Sequence, residues 1–111
     1  MTDAIVIQCT ASSRDEAHRI ARALLEAKLA ACVSLVGKVE SHSWWQGAIE
    51  SANEVLLLVK TTRERFDAVR AMIVANHSYE VPEIIALPVV AGHEPYLKWI
   101  EDSARDCGGG S

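Results

Sequence analysis

The chain has little of what marks a specialised class of protein. Its 111 residues include three cysteines, three prolines and six aromatic side chains. Cys9, Cys32 and Cys107 are odd in number and far apart, which excludes a disulfide framework. Basic residues are in deficit, 11 against 15 acidic ones, for a net charge of −4. They are scattered among acids, so the basic stripe that nucleic acid binding needs is missing. Long apolar runs are missing too. The stretch Val55–Val59 falls far short of the roughly 20 residues of a membrane-spanning helix. No glycine-rich phosphate loop, dinucleotide fingerprint, HExxH or CxxC occurs. Asp3 stands where a secretory leader would carry basic residues, so a cytoplasmic location is expected.

Half of the residues are hydrophobic, and with so few rings among them the core must be mainly aliphatic. The length suits one domain, expected over residues 1–106, with 107–111 (Cys-Gly-Gly-Gly-Ser) as a flexible tail. Ala4–Cys9 is rich in Ile and Val on both faces and reads as a central strand. Ser13 and Glu16 form a capping box, and Ala17, Ile20, Ala21, Leu24 and Leu25 follow at helical spacing. A first helix is therefore expected from about Arg14 to Lys28. Cys32–Trp45 and Ala48–Lys60 read as two strand-like arms about a Gln46-Gly47 turn. Arms of about 13 residues can reach ~40 Å, whereas a compact domain of this length has a radius of gyration of ~13 Å. The hairpin should overhang its core, and Trp44 and Trp45 near its tip should be buried against another subunit.

Thr61 and Glu64 read as a second capping box before a helix carrying Phe66, Val69, Met72 and Ile73, ending near Asn76. His77–Pro82 is a loop. Glu83–Val90 is an apolar strand that Pro88 assigns to an edge. A third helix is expected over about Tyr96–Arg105. The order β-α-β-β-α-β-α predicts an α+β, ferredoxin-like split βαβ: an antiparallel four-stranded sheet with a long central hairpin and an extra C-terminal helix. Its first and third strands should be central.

Five blocks then occur in order: Lys28-Leu29-Ala30-Ala31-Cys32-Val33, Trp44-Trp45-Gln46-Gly47, Val59-Lys60-Thr61, His77-Ser78-Tyr79-Glu80-Val81-Pro82-Glu83-Ile84 and Tyr96-Leu97-Lys98-Trp99. Together they resemble the CutA family of divalent-cation tolerance proteins, over about Ala4 to Ile100. The resemblance implies a ferredoxin-like homotrimer in which long hairpins interlock. It also implies a non-catalytic role in tolerance of copper or another divalent metal, with Cys9 and His77 as ligands. Ser78 stands where the family's loop has proline, and Asn76 where some relatives have a second histidine.

Thiolate and imidazole suit copper or zinc, and Glu80 or a residue of a neighbouring subunit is the candidate third donor. The competing readings are a small buried hydrophobe for Cys9 and a helix C-terminal residue for His77. Trp44, Trp45 and Trp99 are candidates for the trimer interface, and Lys60, Tyr79 and Glu83 for a cleft between subunits. An alternative on the same architecture is a sensor similar to the PII signalling proteins, acting through partner proteins. An acylphosphatase-like enzyme is disfavoured, because the stretch before Arg14 lacks glycine for an anion cradle.

Overall fold

The structure is a computed structural model that describes residues 2–105. The tail expected over 107–111 lies outside the described residues. The elements run β1 (Ala4–Ala11), α1 (Arg14–Glu26), β2 (Cys32–Trp45), β3 (Ala48–Thr62), a single 3-10 turn (Arg63–Arg65), α2 (Phe66–Asn76), β4 (Ile84–Pro88) and α3 (Glu94–Ser103). The sheet order is β2-β3-β1-β4 with every neighbour antiparallel. This is the expected ferredoxin-like sheet, with β1 and β3 in the middle.

Alternate residues of a strand face opposite ways, and residues paired across two strands share a face. One face therefore carries Ile5, Ile7, Cys9 and Ala11 of β1 with Val55, Leu57 and Val59 of β3. All seven are buried, against Ala17, Ile20 and Leu24 of α1 and Val69 and Ile73 of α2. Helix α3 seals one end, where Leu97 and Ile100 pack on Ala4.

The other face carries Val6, Gln8 and Thr10 of β1, Leu56 and Leu58 of β3, Val36 of β2, and Ile85 and Leu87 of β4. It belongs to no buried cluster. Val36, Ile85 and Leu87 are 46%, 47% and 44% exposed.

Local chemistry explains the element ends. The Ser13 hydroxyl accepts the Glu16 N–H, as a helix cap should. Helix α1 stops at Glu26, two residues earlier than expected, because Lys28 takes a left-handed conformation with φ 61°. The Leu29 N–H then reaches the Leu24 carbonyl and the Lys28 N–H the Leu25 carbonyl, the paired bonds of a Schellman stop.

The second capping box does not form. Thr61 is inside β3, fully buried, and its hydroxyl donates to the Leu29 carbonyl at 2.7 Å. Strand pairing to Ala4 and Ile5 claims both threonines, so α2 starts only at Phe66. β4 spans five residues, not the eight expected, and ends at Pro88, which has no N–H to extend the ladder. α3 begins at Glu94, two residues early, since Pro95 fits a first helical turn.

Gln46 and Gly47 both have positive φ, 50° and 83°, the signature of a type I′ turn. The hairpin register slips once, between Gly37 and Val39, where Lys38 is the extra residue of a bulge. Beyond it the hairpin does overhang. The molecule measures 47 × 28 × 22 Å, with a radius of gyration of 14.6 Å. Trp44 is 73% exposed and Ile49, its cross-strand partner, 65%. The two tryptophans do not act as a pair, because the pleat puts them on opposite faces.

Candidate functional site

The end of β1, the start of α1 and the loop after α2 meet in a knot of hydrogen bonds. Glu16 is 3% exposed. Its Oε1 accepts the Ser12 N–H at 2.8 Å and the Ser12 hydroxyl at 3.0 Å, and its Oε2 accepts the Ser78 N–H at 2.7 Å. Burial pushes this carboxyl up, but the bonds from Ser12 and Ser78 more than offset it and hold it down at about 2. The carboxylate thus ties the loop to the N-terminus of α1.

His77 follows α2 and its side chain is fully buried. Its Nδ1 accepts the Tyr79 N–H at 3.0 Å, so the proton must sit on Nε2, which donates to the Thr10 carbonyl at 2.7 Å. Glu16 Oε1 lies 3.7 Å from Nδ1. The Cys9 thiol turns to the same Thr10 carbonyl, at 3.7 Å. Burial, with added repulsion from Glu83, Glu16 and Glu54, pushes it up to about 12. The two donors expected for a metal do converge on one carbonyl, but the imidazole lone pair at Nδ1 is taken by the Tyr79 amide and the thiol is held protonated.

Glu80 does not join them. It is exposed and lines a groove instead. Among the described residues no group of three or more His, Cys, Asp or Glu side chains is placed to hold a metal ion. The set Cys9, His77 and Glu80 therefore does not fit a metal within one chain. The hydrogen bonds of His77 come from backbone groups that no side-chain pattern reveals.

The groove, of about 910 Å3, lies between the hairpin and the loop 79–83. Its hairpin wall carries Trp45, Glu50 and Glu54, which pairing places on the face not covered by helices; its loop wall carries Tyr79, Glu80 and Glu83. Trp44 also borders it. Four of its lining residues are glutamates and none is Lys or Arg.

Glu54 is 8% exposed, and its Oε2 accepts the Tyr79 hydroxyl at 2.7 Å. Burial and the nearby Glu54 carboxylate push the Tyr79 phenol up to about 12. Gln8 Nε2 donates to the Glu83 carboxylate at 2.9 Å. Of the expected cleft residues, Tyr79 and Glu83 line this groove with Trp44 and Trp45, but Lys60 and Trp99 do not. Lys60 Nζ donates to the Ser34 hydroxyl and lies 3.8 Å from Cys32 Sγ. Trp99 stacks on Tyr96 of its own helix, ring centroids 5.6 Å apart.

Sequence reading missed Glu54 and the role of Glu16. Glu16 was visible as the last residue of an S-x-x-E box, but its carboxylate caps the loop rather than the Ser13 N–H. Glu54 left one trace, a carboxylate directly before the apolar run Val55–Val59.

Comparison with known proteins agrees with this architecture. The family described as CutA1 divalent ion tolerance protein matches residues 5–103. The divalent-cation tolerance protein CutA of Archaeoglobus fulgidus is 46% identical over 99 residues, which cover 89% of this chain and 96% of that protein. The chloroplastic protein CutA 1 of Oryza sativa is 40% identical over 92% of this chain, which spans only 58% of that relative's length. A solved structure described as the periplasmic divalent cation tolerance protein CutA from Archaeoglobus fulgidus superposes with a TM-score of 0.88 at 44% identity, covering 92% of this chain and 99% of that one. No helix among the described residues is long and apolar enough to cross a membrane. With most of its length matched at this level, the chain belongs to the CutA family of divalent-cation tolerance proteins.

Proposed function

We propose that the chain works as a non-catalytic homotrimer that holds divalent cations, copper among them, in clefts formed where copies meet. The observation that carries this reading is the uncovered sheet face. Val6, Leu56, Leu58, Val36, Ile85 and Leu87 are apolar, and among the described residues no helix packs on them. A single-layer sheet with two apolar faces must bury the second against something. On the overhanging hairpin Trp45 lies on this same face, and the exposed Trp44 and Ile49 offer the opposite face to a second copy.

The groove opens on this same uncovered face, so association would enclose Glu50, Glu54, Glu80 and Glu83 between subunits. Oxygen donors without basic neighbours suit a divalent cation. The family name supports the cation, and the four glutamates that line the groove support a site in the clefts. The free thiols of Cys9 and Cys32 suit a reducing compartment, which favours the cytoplasm. A PII-like sensor gains nothing from the structure, since the hairpin closes in the two-residue turn Gln46-Gly47 where such a sensor would carry a long loop.

The test is a competition titration of copper into the reduced, assembled protein against a chelator of known affinity, using Cys107→Ser to remove the tail thiol. The reading predicts saturable binding that survives Cys9→Ser. The absence of saturable binding, or its loss in Cys9→Ser, contradicts it.

A further inference from the structure

The fully buried imidazole of His77 is bound at both nitrogens, and each bond has a different consequence. Nε2–H to the Thr10 carbonyl fixes the ring against the end of β1. Nδ1 to the Tyr79 N–H fixes the backbone two residues further on. Tyr79 is then held from three sides. Its amide is on His77, its ring lies 4.8 Å from the imidazole, and its hydroxyl donates to Glu54.

Among the described residues Glu54 receives this one hydrogen bond and no ion pair. A chain of contacts thus runs from Thr10 through His77 and Tyr79 to a carboxylate on the groove wall. A metal bound at Nδ1 would have to displace the Tyr79 amide. One bound at Nε2 would have to displace the proton and leave the Thr10 carbonyl facing a cation's ligand shell inside the core. A metal-ligating histidine commonly donates its second nitrogen to a carbonyl. His77 makes that donation, but its remaining lone pair is already taken.

We propose that in this chain His77 is a positioning residue rather than a metal ligand: held as the Nε2–H tautomer between Thr10 and Tyr79, it sets Tyr79, and through it Glu54, on the wall of the groove. The proposal rests on the reading of the groove as the functional cleft. It gives the histidine of this loop a role although Glu80 lines the groove instead and Asn76 offers no second imidazole. It also assigns the loop's ionised tether, Glu16, a part in the same device. By bonding the Ser78 N–H, Glu16 holds the residue between His77 and Tyr79, so the segment is pinned at three successive positions.

The test uses the full chain, labelled with nitrogen-15, and zinc as a diamagnetic divalent probe. Long-range nitrogen–proton spectra of the imidazoles should show one ring, that of His77, as a neutral Nε2–H tautomer with an unprotonated, hydrogen-bonded Nδ1. Those signals should stay in place at saturating zinc. A zinc-dependent shift at either ring nitrogen of His77 overturns the proposal.

Two variants separate a ligand from a positioning residue. His77→Gln keeps a donor for the Thr10 carbonyl and is expected to fold even if His77→Ala does not. Zinc affinity in His77→Gln should stay within about threefold of the parent, against the tenfold or greater loss expected when a ligand is removed. The Tyr79 amide and ring resonances should move in His77→Ala and return most of the way in His77→Gln. Loss of zinc affinity with Tyr79 unmoved makes His77 a ligand and overturns the proposal. Unmoved Tyr79 resonances in both variants remove the positioning role and overturn it as well. If the parent binds no zinc at all, the cation reading of the groove fails on its own, and the tautomer and Tyr79 comparisons still decide the role of His77.

Discussion

The two faces of the sheet are built from alternate residues of the same strands, yet they have opposite fates. Ile7, Cys9, Leu57 and Val59 point one way and are fully buried under α1 and α2. Their immediate neighbours Val6, Leu56 and Leu58 point the other way and are only half-buried, and Ile85 and Leu87 on β4 are nearly half exposed. Composition does not distinguish the faces, because both are aliphatic. What differs is that, among the described residues, helices cover one of them only. A run such as Val55–Val59, apolar at every position, therefore serves two faces: one that the helices cover and one that they leave open.

Mutations should separate the faces, and the largest effect belongs to the covered one. Leu57→Ala removes a fully buried side chain from the covered face and should cost about 3 kcal/mol of stability, read from the denaturant midpoint. Next is acid. The Glu16 carboxyl lies at about 2 in the folded chain against an ordinary 4.5. Its contribution is present above pH 4.5 and is lost as pH falls from there towards 2. On the order of 3 kcal/mol is at stake, with the loop's packing included. Glu16→Gln should flatten that acid limb, measured by unfolding between pH 7 and pH 2.5.

On the open face, Leu58→Ala should cost less in the dissociated chain than Leu57→Ala does, but should weaken self-association. Dilution followed by sedimentation gives both quantities. If Leu58→Ala leaves association untouched while destabilising the single chain as much as Leu57→Ala, the contrast between the faces is lost. A smaller effect concerns chemistry on the covered face. The Cys9 thiol, fully buried and pushed up to about 12, should resist alkylation at pH 8 in the native protein and react only after unfolding. Peptide mapping after timed labelling measures it. The smallest expected effect is at the surface. Lys98→Ala removes an exposed pair with Asp102 and should change stability by less than about 0.5 kcal/mol.

How much of this was legible in the sequence follows the same division. Strand order, the edge position of β4, the cap at Ser13 and the overhanging hairpin were readable, because each rests on local pattern or on length. The five ordered blocks also gave the family. The capping box at Thr61 and Glu64 was misread, since strand pairing with β1 outweighed a local cap. Trp44 and Trp45 were both expected at a subunit interface, and the pleat puts them on opposite faces of the hairpin. The candidate metal set was least legible. Cys9 and His77 do come together from distant parts of the chain, but what they share is the Thr10 backbone carbonyl. Whether a histidine's lone pair is free depends on amides such as that of Tyr79, which carry no side-chain signature.

The central claim is that the uncovered face is completed by further copies of the chain. Sedimentation equilibrium of the untagged protein at micromolar concentration tests it most directly. The account predicts three times the 12.1 kDa chain mass, with Trp44 fluorescence blue-shifted as its ring is buried. A mass of 12.1 kDa, with the open face and Trp44 still in water, would contradict it.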